Sequence, residues 1–243
     1  MMKLPQVLKY KPDWTQYSDT ELKQFLQAAA KLIGSMQKLT EQNKQVVQSI
    51  IGDHVFVEWN HYPENDVRDD KNASQYFYHA HPGLQRPFIE HGHFHLFIHA
   101  EKIGLRRPDP SYSPAPAHLV AVSMDALGIP SGFFIVNRWV TKGPWLTKTE
   151  CERGLQHFKI PPNKGEKEIN SFLKSLVQLY QRPISALLEQ RDEIMNTLSG
   201  QRDRRSVFAD RHIEVLCYVP IHLMDDIACL ELAVQRKSKT KKK

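Results

Sequence analysis

Apolar residues along this 243-residue chain recur first at helical spacing, then at strand spacing, then at helical spacing again. In "SDTELKQFLQAAAKLIGSMQKL", Leu22, Phe25, Leu26, Ala29, Leu32, Ile33 and Met36 share one face of a helix. Ser18 and Glu21 stand at capping-box spacing at its start. Thr40 is placed to cap a second short helix, ended by Gly52. From His54 the period becomes two. "HVFVEWNH" alternates as a strand, "YPENDVRDDKNA" reads as a polar turn, and "SQYFYHAH" follows as the next strand. "HLVAVSMD" and "FFIVNRWV" form a hairpin around "ALGIPSG", and "RRPDPSYSPAPA" reads as a long surface loop that could act as a lid.

Helical periodicity returns in "EKEINSFLKSLVQLYQRPISALLEQRDEIMNTL", with Pro183 as an expected break. "HIEVLCYVPI" alternates once more, and Asp225 and Asp226 open a last helix. The order of elements predicts an α+β fold: a central antiparallel sheet of five to six strands, flanked by N-terminal and C-terminal helices. We expect a single domain over 1–243, with helices in 1–53, the sheet in 54–145, a helical part with one further strand in 146–235, and a disordered basic tail in 236–243.

One strand carries the chemistry. In "EHGHFHLFIHAE" (Glu90 to Glu101), alternation puts His91, His93, His95 and His99 on one face and Phe94, Leu96 and Ile98 on the other. Pairing it antiparallel with "SQYFYHAH" so that His79 faces His93 also sets Tyr78 against Phe94 and Tyr76 against Leu96. One register thus satisfies both faces. The polar face collects His79, His81, His91, His93 and His95. Adding the preceding strand, with Trp59 opposite Tyr76, brings Glu58 to the same side.

Neutral imidazole is the commonest protein ligand for first-row transition metals, and two H-x-H pairs on neighbouring strands suit a three- or four-ligand site. Imidazolium groups crowded without such a partner repel one another. The expected ligands are His79, His81, His93 and His95, with Glu58 or His91 as alternates, for a divalent transition metal such as zinc, iron or copper. Glu58, Glu90 and His91 are candidate proton-transfer groups beside it. Arg138 is a candidate clamp for a carboxylate or phosphate of a small-molecule substrate, with Asp125 beside it or paired to it.

Composition narrows the setting. The net charge of +6 is matched by six lysines and arginines in the last eight residues, "RKSKTKKK", so the remainder is formally neutral. No specific nucleic-acid binding is expected from the body of the protein. No apolar run approaches membrane-spanning length, and the N-terminus lacks the apolar stretch of a secretory signal. Cys151, Cys217 and Cys229 are odd in number and far apart, which suits a reducing cytoplasm.

Three resemblances bear on function. "HGHFHLF" is similar to the H-x-H-x-H-x-x motif of the histidine-triad nucleotide hydrolases and transferases. That resemblance implies His93 as the nucleophile on phosphorus. The chain departs from that motif at Gly92, where an aliphatic residue is usual, and His79 and His81 have no counterpart in it. Cupins also use H-x-H on a strand, but Glu101 falls two residues late and Ile135 stands where the later histidine belongs. Finally, "EWNHYPENDV", "SQYFYHAH", "EHGHFHLF", "HLVAVSMD" and "NRWVTKGPW", in that order, resemble an uncharacterised bacterial family known only as a domain of unknown function. This last resemblance implies a family fold and no activity. A non-catalytic interaction module is the remaining alternative.

Overall fold

The computed structural model describes residues 3–82, 88–105 and 115–240. Seven strands form one sheet: β1 (Gln6–Val7), β2 (Tyr62–Asp69), β3 (Ser74–His79), β4 (Gly92–Ile98), β5 (Ala117–Met124), β6 (Pro130–Val136) and β7 (Val215–Pro220), in the order β1-β7-β6-β5-β4-β3-β2. The mixed α and β composition is as expected. Among the described residues the sheet has seven strands rather than five to six; the two-residue β1, which runs parallel to β7, has no counterpart among the expected strands. The other neighbours in the sheet are antiparallel.

Eight α-helices accompany the sheet among the described residues: α1 (Asp19–Glu41), α2 (Val46–Ile51), α3 (Arg138–Thr141), α4 (Lys148–His157), α5 (Lys167–Leu179), α6 (Gln181–Gln201), α7 (Arg204–Ala209) and α8 (Leu223–Thr240). Ser18 and Glu21 form the expected capping box of α1. Thr40 does not cap α2; its hydroxyl donates back to the Met36 carbonyl inside α1, and α2 starts after Gln45. Pro183 sits in the first turn of α6, where a missing N–H costs nothing, so the break falls before it at Tyr180.

One sheet face is covered by helices. Tyr76, Tyr78, Phe94, Leu96, Val120, Val122, Phe133, Ile135 and Val219 are buried there in one apolar core with residues of α1, α5 and α6. The Tyr76 hydroxyl donates to Asn170 Oδ1 of α5 at 2.7 Å, and the Cys217 thiol donates to the Leu187 carbonyl of α6 at 3.4 Å. The opposite face carries the histidines and a smaller apolar cluster of Ala121, Phe134, Val136, Val215 and Tyr218.

Three expected elements are displaced. "HVFVEWNH" is not a strand: residues 54–61 form an exposed irregular segment wrapped on the Tyr62 hydroxyl, which accepts from the Val57 N–H at 2.6 Å and donates to the Val55 carbonyl at 3.1 Å. The edge strand β2 follows it, in the stretch expected to be a turn. Trp59 therefore does not face Tyr76; Val67 does. "FFIVNRWV" leaves the sheet at Asn137, whose side chain caps α3. Among the described residues the basic stretch from Arg236 continues α8 to Thr240, with the Lys237 amine donating to the Tyr17 carbonyl; the rest of the tail expected to be disordered, 241–243, lies outside the described residues. The proline-rich 106–117 stretch lies mostly outside the described residues.

Candidate metal centre

β3 and β4 pair in the register inferred from the sequence: His79 opposite His93, Tyr78 opposite Phe94, Tyr76 opposite Leu96. Both strands are buried throughout, so the face that turns away from the helical core is enclosed as well. The His93 side chain is 0% exposed and His95 1%. One ring nitrogen from each of His79, His93 and His95 can be chosen so that all three lie within 4.8 Å of one another. The His79 and His93 Nε2 atoms are 2.7 Å apart.

Aromatic rings wall the cluster. Phe77 lies 5.4 Å from His79 and 5.2 Å from His95 between ring centroids, and Phe134 lies 5.0 Å from His93. His81 is buried at the end of the row, 4.8 Å from the His79 ring and 5.4 Å from the His93 ring, with Trp59 packed on it at 4.0 Å. Three of the four expected ligands thus converge tightly, and the fourth adjoins them.

The proton-transfer candidates are placed differently from one another. Glu90 enters the cluster: its Oε1 lies 2.9 Å from His93 Nδ1, and its Oε2 accepts from the Ser123 hydroxyl at 2.7 Å. Ser123 stands opposite His93 on β5 and itself accepts from the Ser131 hydroxyl at 3.1 Å. His91 leaves the row. It precedes β4, and its Nδ1 lies 2.7 Å from the Tyr78 hydroxyl, which belongs to the helical face. Burial lowers its pKa. Glu58 is exposed in the 54–61 segment and is not brought to the imidazoles by a strand.

Nor do the expected substrate groups adjoin the cluster as a pair. The Asp125 carboxylate accepts from the Leu127 and Ile129 N–H groups at 2.9 and 2.8 Å, which fastens the β5–β6 turn. Arg138 is the first residue of α3, with its guanidinium 5.4 Å from the Phe208 ring.

Two histidines join that the sequence pattern did not place there. His118 Nε2 lies 3.0 Å from His95 Nδ1, and burial, followed by the Arg191 charge, pushes the His118 pKa down to about 3. His61 stacks on Phe77 at 3.7 Å and lies 5.7 Å from His79 between centroids, with its Nδ1 2.9 Å from Asp66. His118 is missed by parity because a bulge between Leu96 and Phe97 shifts the β4–β5 pairing by one residue. An even-numbered residue is thereby set opposite the odd-numbered Phe97.

Chemically, the arrangement offers a compact set of imidazole nitrogens in a buried, aromatic-walled space, with a carboxylate held behind one of them. Among the described residues, no helix is long and apolar enough to cross a membrane, and Cys151, Cys217 and Cys229 are free thiols. No curated protein and no solved structure matches the chain. The ordered motifs that carry the sequence resemblance all lie within the segment 26–221, which matches the model of a domain of unknown function, DUF6969; the chain belongs to that family.

Proposed function

We propose that this protein binds one transition-metal ion on His79, His93 and His95, and that the centre is catalytic. The convergence of three buried imidazoles within 4.8 Å carries the reading. Ligand nitrogens at 2.0–2.1 Å from a tetrahedral ion stand about 3.3 Å apart. The 2.7 Å His79–His93 spacing would have to open by about 0.6 Å, and the third arm to draw in. An all-imidazole set favours zinc, copper or iron over the oxygen-seeking magnesium and calcium.

Three protein ligands leave a coordination position for water or substrate, as catalytic zinc sites do. A metal there would polarise a substrate oxygen or lower the pKa of a bound water, which is hydrolytic chemistry; with iron or copper the same position serves oxygen. His81 is the candidate fourth arm.

The histidine-triad alternative is less well supported. Attack on phosphorus needs a ring nitrogen of His93 that is accessible to substrate. His93 is fully buried, its Nδ1 lies against Glu90 and its Nε2 against His79.

Elemental analysis of untagged protein from metal-supplemented medium tests the proposal. It predicts close to one equivalent of metal per chain, and loss of that metal in His93→Ala. A metal-free wild type that hydrolyses nucleotide phosphoramidates, and is indifferent to chelators, would support the triad chemistry instead. A chain that does neither would support an interaction module.

A further inference from the structure

We infer that Glu90 is a positioning residue for this centre: it locks His93 in the tautomer protonated at Nδ1, so that the Nε2 lone pair points at His79 and into the cluster. This inference builds on the metal reading, but its structural content concerns the protein without metal.

The reasoning runs through three hydrogen-bonding contacts. An ionised carboxylate only accepts hydrogen bonds. Glu90 Oε1 at 2.9 Å from His93 Nδ1 therefore calls for a proton on that nitrogen. A neutral imidazole carries one proton, so His93 Nε2 is then an acceptor. The facing His79 Nε2, 2.7 Å away, must be the donor. The metal-free order is thus Glu90 ← His93 ← His79, with each arrow the direction of donation.

Glu90 is itself held. Its Oε2 accepts from Ser123, and Ser123 accepts from Ser131, so a hydroxyl chain from β6 and β5 fixes the carboxylate. Its side chain is only 2% exposed, so bulk water has little access to the carboxylate. Each oxygen meets a fixed partner, which suits Glu90 to orienting His93. Carboxylate–histidine–metal pairs elsewhere set the ligand tautomer and ring angle in this way, and losing the outer partner costs about 10- to 100-fold in metal affinity.

To hold a metal through Nε2, His79 would have to give up the proton on that atom. With the proton moved to Nδ1, the ring stays neutral. His93 needs no such change. The two histidines therefore have opposite tautomers without metal and the same tautomer with it.

Long-range 1H–15N correlation spectra of the full-length protein, with and without Zn2+, test this directly. Metal-free wild type should show His93 protonated at Nδ1 and His79 at Nε2. Glu90→Ala should scramble the His93 tautomer, whereas Glu90→Gln, whose carbonyl oxygen still accepts, should retain it. Zn2+ affinity should fall about 10- to 100-fold in Glu90→Ala and recover in part in Glu90→Gln. Metal-free His93 protonated at Nε2, or at both nitrogens, would overturn the inference. So would an unchanged His93 tautomer in Glu90→Ala. If the tautomers are as stated but wild type binds no Zn2+, the positioning of His93 by Glu90 stands and the metal reading alone fails.

Discussion

His79 and His93 face each other across two antiparallel strands, and their Nε2 atoms lie 2.7 Å apart. The contact follows from one register. The pairing that buries Tyr78 against Phe94 and Tyr76 against Leu96 obliges the alternate residues, His79 and His93, to meet on the reverse face. Core packing on the helical side and imidazole clustering on the other are thus set by the same backbone pairing. A slip by one residue would place imidazoles in the core.

Gly92 protects that register. A Cβ there would stand 2.5 Å from the Tyr78 hydroxyl and 2.6 Å from the His79 carbonyl oxygen. Gly92→Ala must therefore displace Tyr78, the start of β4, or both. Overpacking of this kind costs about 1–3 kcal/mol. Urea unfolding should show that loss, together with weakened metal binding, because His93 is the next residue.

Tyr76 fastens β3 to α5 through its hydroxyl on Asn170, in a fully buried setting. Tyr76→Phe keeps the ring and removes the donor. The Asn170 amide is still held by the Pro161 and Lys164 carbonyls. A loss of about 1–2 kcal/mol in unfolding free energy is expected, with metal content unchanged.

The histidine register and the α+β order were readable in the sequence because both rest on unbroken alternation. The displaced parts break it. β2 is an edge strand with mostly polar side chains, so "YPENDVRD" offers no apolar alternation to detect, while the apolar "VFVEW" just before it is largely exposed. His91 follows the parity of the row in sequence, yet it lies before the regular strand and turns to Tyr78. His118 breaks the parity through a bulge and joins the row in space. Ser123 and Ser131 became relevant only once Glu90 had been placed, because the connection that carries Glu90 has no periodicity to read.

Lys174 supplies a pH prediction away from the centre. Its amine donates to the Gln156 carbonyl at 2.9 Å, beside a cavity of about 520 Å³ lined also by Glu152, Arg182 and Ser185. Burial, then the Lys159 charge, lowers its pKa to about 8. Below that pH the amine is charged in both folded and unfolded chains, and the cost of burying it is felt in full. Between about 8 and the unfolded value of about 10.4, the unfolded chain holds a proton that the folded one has released, so this group makes stability rise with pH. Lys174→Met should flatten that rise when urea midpoints at pH 7.5 and pH 10 are compared. Lys174 should also be acylated ahead of the exposed lysines at pH 8.

The metal centre itself is tested most directly by calorimetric titration of metal-stripped protein with Zn2+. Wild type should take up one ion per chain. His79→Ala, His93→Ala and His95→Ala should each lose that binding, and His157→Ala, remote from the cluster on α4, should keep it. Binding that is absent in wild type, or equally strong in all three ligand variants, would contradict the account.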